Sequence, residues 1–234
     1  MEIRGERECT DCGTRWSYYE RGEITCPDCG SVRSVSLDDP TEHTAGTAEL
    51  DLSPVRHAVE DQPIREVADA AAETCRSYTR TVGFVHAGEL QPLGDTYLAA
   101  TELRRVAATV GRLMHRTDDE ELYFLALLRG TDSGDRPGPQ AVPETFHPER
   151  GLAVAAAIET YLGDLRRVTD EADRDPAVVQ VLSTVTSHRK RIQALDGAVE
   201  PAEAERLVRA VRDLSAYLRE GDEGALARAT KRFA

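Results

Sequence analysis

The sequence predicts a mostly α-helical chain headed by a small β ribbon that closes around a metal ion. Three observations predict it. Four of the five cysteines stand before residue 30, as Cys9-x2-Cys12 and Cys26-x2-Cys29. From Pro63 onward the apolar residues recur at steps of three and four, the period of one helix face. Prolines and glycines punctuate that second region where helices would start and stop, at Asp175-Pro176, Asp196-Gly197, Glu200-Pro201 and Gly221.

The ribbon comes first. Each cysteine pair is followed by a glycine, Gly13 and Gly30, with thirteen residues between the pairs. A Cys-x2-Cys turn supplies two thiolates from one tight loop, and glycine accepts the positive φ that closes it. Two such turns complete a tetrahedral site of four thiolates at about 2.3 Å, with no position left for a substrate. Aromatic and β-branched residues on either side of Arg21-Gly22-Glu23, in Thr14–Glu20 and Ile24–Thr25, predict a hairpin. Ser31–Leu37 offers a third strand. A unit spanning residues 1–37 is too small to hold itself by a core alone. Binding of structural zinc is worth roughly 10–16 kcal/mol in such peptides, so the metal dictates the fold. One Zn2+ per chain, on Cys9, Cys12, Cys26 and Cys29, is the expectation. Iron in a rubredoxin-like site is disfavoured by the short spacer. Disulfides would need an oxidising compartment, and a redox Cys-x2-Cys would need a βαβ setting that the sequence does not show. Cys75 lies in the apolar series Ile64, Val67, Ala68, Ala71, Ala72 and reads as an inert buried thiol.

Residues 38–62 hold two prolines and no long period, and read as a linker or a segment draped over the next domain, with Ala48–Leu52 as a candidate short strand. Residues 63–234 read as a bundle of about seven helices. The first is capped by Asp61 with Pro63 in its first turn and runs to about Thr79. Asp95 opens the second, with Ala99, Leu103, Val106, Val110 and Leu113 on one face. Thr117-Asp-Asp-Glu120 is a capping box for the third. Four more follow at about 150–172, 176–195, 201–219 and 222–232. Between the third and fourth, residues 129–148 carry Gly130, Gly134, Gly138, Pro137, Pro139, Pro143 and Pro148. A connection that long reads as a hinge or a functional loop.

Strong catalytic signatures are lacking: no nucleophile elbow, phosphate loop, dinucleotide fingerprint or zinc-protease helix. Glu144-Thr-Phe-His147 is flanked by prolines, unlike the helical Glu-x-x-His of di-iron bundles. The six histidines are scattered, and the carboxylates of Asp118–Glu121 and Asp170–Asp173 read as helix-end or solvated groups. The reading is therefore non-enzymatic.

The chain carries 42 Asp+Glu against 29 Lys+Arg, a net charge of −13, and only two of its basic residues, Lys190 and Lys231, are lysine. A high-GC genome explains the arginines but not the acidic excess, which points to adaptation to molar salt. In 1 M salt the Debye length is about 3 Å, which screens electrostatic steering toward nucleic acid. His188-Arg-Lys-Arg191 is the densest basic run, but four consecutive helical residues spread about 300° around the axis. No apolar run approaches the roughly 20 residues of a membrane helix, and the first residues show no leader-like apolar core, so a cytoplasmic location is expected.

The Cys-x2-Cys-Gly pair across residues 9–37 resembles the zinc-ribbon family, in particular the TFIIB-type ribbons of archaeal proteins. Over most of its length, including Asp119–Gly130, the chain also resembles haloarchaeal TFIIB-type zinc-ribbon-containing proteins. That resemblance implies a source and compartment but no activity. The two cyclin-like repeats of a basal initiation factor are not recognisable. Trp16 and Tyr18, with Arg15 and Arg33, are the candidate partner surface: aromatic anchors beside arginine are enriched at the centres of protein interfaces. The leading expectation is a protein-interaction or adaptor module. The alternative is a nucleic-acid-binding or transcription-associated factor stacking bases on the same side chains. An enzyme with an accessory ribbon comes third.

Overall fold

The computed structural model describes residues 1–170 and 175–233. In chain order the elements are β1 (Glu2–Ile3), β2 (Glu6–Cys9), β3 (Arg15–Ser17), α1 (Tyr18–Arg21), β4 (Ser34–Ser36), β5 (Thr41–Glu42), α2 (Ser53–Ala58), α3 (Ile64–Thr81), β6 (Val85–His86), β7 (Glu89–Leu90), α4 (Asp95–Val110), α5 (Asp118–Gly130), α6 (His147–Val168), α7 (Pro176–Ala194), α8 (Pro201–Glu220) and α9 (Glu223–Lys231). The fold is mostly α with small antiparallel sheets near the N-terminus. Asp170–Asp173, the second acidic group of the sequence reading, lies largely outside the described residues.

The ribbon sheet has the order β3-β2-β4, with Glu8 opposite both Arg15 and Val35. This corrects the predicted hairpin. β3 pairs with Glu6–Cys9 and not with residues 24–25, because the chain after β3 turns into α1 and stops at Gly22, whose φ is 69°. A second two-stranded pair, β1 with β5, ties the chain start to the segment after the ribbon.

The helices bury two apolar clusters. One gathers Val67, Ala71 and Cys75 of α3 with Leu103 and Val106 of α4, Phe124 of α5 and Phe146. The other joins Ile158, Tyr161 and Leu165 of α6 to Val181 of α7, Leu207 and Val211 of α8, and Leu226 of α9. α4 contributes to both, with Tyr97 and Leu98 on one side and Leu103 and Val106 on the other. Side-chain caps close three helix starts, the first two at positions the sequence marks. Thr117 and Glu120 form the reciprocal capping box of α5, Asp175 Oδ1 accepts from Ala177 N–H at 2.7 Å, and Asp222 accepts from Ala225 N–H at 3.0 Å. At α3 it is Pro63, not Asp61, that stands at the N-cap.

Residues 38–62 lie over the helices. Thr44 Oγ1 donates to Asp164 Oδ2 of α6 at 2.6 Å, and Phe84 N–H reaches the same oxygen at 2.7 Å. The candidate strand at 48–52 is not one; Ser53–Ala58 forms α2 instead, with Leu52 and Val55 in the core. Nor is 129–148 structureless. It holds short 3-10 turns at Thr131–Ser133, Pro139–Ala141 and Glu144–Phe146, and α6 begins at His147.

Candidate metal centre

Both cysteine turns are built alike. Gly13 N–H donates to Cys9 O at 2.9 Å and Gly30 N–H to Cys26 O at 3.1 Å. Cys9 N–H donates to Thr14 O and Cys26 N–H to Ser31 O, both at 2.8 Å. Gly13 and Gly30 have φ of 79° and 73°, and a Cβ at either would meet no atom within 4 Å. Glycine is needed there for backbone conformation and not for space.

The turns bring four Sγ atoms to within 4.8 Å of one another, the only such group of metal-ligating side chains among the described residues. Cys9 Sγ lies 3.6 Å from Cys29 Sγ, and Cys12 Sγ lies 3.6 Å from Cys26 Sγ. Thiolates at 2.3 Å from one tetrahedral ion would stand about 3.8 Å apart, so the donor set fits such an ion. The separations are far from the roughly 2.05 Å of a disulfide. Cys9 and Cys26 are buried while Cys12 and Cys29 face solvent. Contacts with the Thr14 side chain and backbone lower the Cys12 thiol, while the neighbouring thiols Cys12 and Cys9 raise Cys29, so the four sulfurs titrate as one group. Burial pushes the remote Cys75 up to about 12.

The structure separates the four candidate partner residues. Trp16 is a correction: only 6 % exposed, it packs with Cys9 and Cys26 as the ribbon's core, and its Nε1–H donates to Glu23 O at 3.2 Å. A ribbon this small has nothing else of that size to shield the inner thiolates. Arg15 and Arg33 are exposed, at 71 % and 77 % of their side chains, and are paired with Glu8 and Asp11 at 2.5 and 3.5 Å. Tyr18 is half-buried at the start of α1. Its neighbour Tyr19 is buried, with the hydroxyl donating to Asp38 Oδ2 at 3.2 Å and standing 3.1 Å from Ile3 O and 2.7 Å from Thr41 Oγ1.

Two groupings escaped the sequence reading. His43 and His86 meet each other and Tyr19 at the edge of the ribbon. Deep between α4, α5, α6 and α8, Arg150 Nη1 donates to Glu102 Oε1 and Tyr123 Oη at 3.1 Å and to Pro137 O at 2.8 Å, and its Nη2 reaches Glu205 Oε1 at 2.9 Å. Arg136 bridges the same two carboxylates at 3.1 Å each, and Tyr123 donates its hydroxyl to Glu102. Burial works against the Arg150 charge, but Glu102, Tyr123 and Glu205 outweigh it and hold the guanidinium protonated. Burial and the Glu102 carboxylate raise Tyr123 above its ordinary range. These contacts pin the 129–148 segment, so Arg136 is no exposed tip. The sequence signal was Glu102 and Arg150 standing on the buried faces of α4 and α6. Glu144 and His147 line a cleft of about 430 Å3 with Arg191, Glu200 and Glu203, Phe146 between them points into the core, and His147 Nε2 lies 3.3 Å from Val142 O. The pair joins no metal-binding group among the described residues.

One family model, described as a family of unknown function (DUF7117), matches residues 1–233. The chain belongs to this DUF7117 family. No curated protein and no solved structure matches it. Within this DUF7117 member, then, the four-cysteine cluster is the feature with definable chemistry. No helix among its described residues is long and apolar enough to cross a membrane.

Proposed function

We propose that this protein is a non-enzymatic zinc protein whose ribbon, held by one Zn2+, docks a protein partner. The observation that carries the reading is the division of the ribbon sheet into two faces. Arg7, Cys9, Trp16 and Ser34 share the inner face, because residues paired across antiparallel strands project to the same side. Glu8, Arg15 and Val35 share the outer face, and Val35, Leu37, Val32 and Arg33 are exposed there or beside it. Apolar side chains with an arginine on a rigid, metal-held sheet suit a protein interface. The closed four-thiolate set supports a structural ion rather than a catalytic one. The TFIIB-type resemblance, a haloarchaeal source and a cytoplasmic location belong to the same proposal, supported by the ribbon spacing and the acidic, lysine-poor composition.

The nucleic-acid reading has less to stand on. Trp16 is buried and Tyr18 half-buried, and Arg15 and Arg33 already face carboxylates. The test compares wild type with Val35→Glu and Arg33→Glu in capture from a salt-adapted extract at molar KCl, with and without nuclease. A nuclease-resistant partner lost in both variants is expected. Capture that disappears with nuclease in wild type contradicts the proposal and favours nucleic acid.

A further inference from the structure

Three rings from separate parts of the chain meet where the ribbon lies on the helical body. Tyr19 comes from α1, His43 from the segment after β5, and His86 from β6. The ring centroids are 5.0 Å apart for Tyr19 and His43, 5.3 Å for His43 and His86, and 6.0 Å for Tyr19 and His86. The backbone knits the same place. Gly88 N–H donates to Glu42 O at 2.8 Å, and His43 N–H donates to Met1 O at 3.1 Å. Ala87, at the tip of the β6–β7 hairpin, holds a φ of 49° and donates its N–H to His43 Nδ1 at 3.2 Å. An amide aimed at Nδ1 needs a lone pair there, so the ring must be neutral with its proton on Nε2.

We propose that His43, packed against His86, is a pH-sensitive clasp that holds the ribbon tightly on the helical body when neutral and loosens it when protonated. A proton on Nδ1 replaces the bond from Ala87 with two opposed donors. The His86 ring, centred 5.3 Å away, adds to the cost of a charge on His43.

The surrounding charges do not compensate. From the chain start the Met1 ammonium faces this region and is paired to Glu42 of β5, which also lies 3.7 Å from Arg167 of α6. Asp164 of α6 is occupied by Thr44, Phe84 N–H and Arg167. Asp38 accepts from Gly5 N–H and the Tyr19 hydroxyl. Glu89 is exposed across the hairpin from His86. No carboxylate among the described residues is ion-paired to either imidazole. Burial lowers the His43 pKa, and His86 and the Met1 ammonium lower it further, against a backbone contact at Ala45 that raises it. The docked form therefore binds fewer protons than the loosened form. Docking is complete above the ordinary histidine value of about 6.5. As pH falls below that, it weakens up to ten-fold per unit until the docked-state pKa is reached.

The test uses the full chain loaded with Co2+ or Zn2+ in molar KCl. At pH 7.5, 15N spectra of His43 should show Nδ1 without a proton. Between pH 7 and 5.5, protection of the Ala87 and Gly88 amides from exchange, corrected for intrinsic rates, should fall by up to about ten-fold. The cobalt–thiolate absorption should stay constant over that range. In His43→Gln, whose amide oxygen can accept from Ala87 but cannot titrate, protection should be flat with pH. A proton on Nδ1 at pH 7.5, flat protection in wild type, or an equal fall in His43→Gln overturns the proposal. So does a fall that follows loss of the cobalt–thiolate band. The Nδ1 and wild-type readings decide the matter even where the variant fails to fold, and they do so whether or not the cysteines select zinc.

Discussion

Replacing Arg150 with methionine should cost about 3–5 kcal/mol of folding stability, as expected when one member of a buried ion pair is removed. The side chain is 2 % exposed and makes four polar contacts, to Glu102, Tyr123, Pro137 and Glu205. Adding four charged hydrogen bonds at about 1.5–3 kcal/mol each would give a larger figure, but such contacts are not additive. Arg136 stays in place to neutralise Glu102 and Glu205, which argues for the lower end. The companion variant is Glu102→Met with Tyr123→Phe and Arg150→Met. It removes the deep charges together and leaves the Arg136–Glu205 pair. Its cost should fall clearly below the sum of the single costs, because no buried charge loses its partner. Urea unfolding of the metal-loaded protein in molar KCl measures both. An Arg150→Met cost under about 1 kcal/mol, or strict additivity in the triple variant, would refute the reasoning.

Cys75 should resist thiol reagents at pH 8 in the folded protein, since burial holds its thiol at about 12, and should react only on unfolding. Lowering KCl from molar to about 0.1 M should lower the melting temperature, as carboxylate repulsion in a chain of net charge −13 goes unscreened; a salt-independent melting temperature contradicts the adaptation. A protease of broad specificity such as subtilisin should spare residues 129–148, where the Arg136 side chain is 9 % exposed and doubly ion-paired, and cut first elsewhere; early cleavage within that segment would show that the network does not hold it.

The legible parts of the fold were local in sequence. Cys-x2-Cys-Gly fixes its own turn, and the helices announce themselves at three- and four-residue steps, with Thr117–Glu120 and Asp175-Pro176 marking starts. Glu6–Cys9 gave no strand signal because two of its four residues are glutamate, and its pairing is imposed by β3 and β4 on either side. Trp16 read as a surface anchor because composition does not say which face of a three-residue strand looks toward the metal. The order in 129–148 depends on Arg150 meeting Glu102 across 48 positions, and the seating of residues 38–62 on Thr44 meeting Asp164 across 120. No spacing rule reaches that far.

The central claim is that Cys9, Cys12, Cys26 and Cys29 together hold one zinc ion. Elemental analysis of the purified protein, run beside Cys12→Ser and Cys75→Ala, tests it most directly. One equivalent of zinc in wild type and Cys75→Ala is predicted, with loss of metal in Cys12→Ser while the helical circular-dichroism signal persists. Well under half an equivalent of zinc in wild type, iron in its place, or full metal content in Cys12→Ser would contradict it.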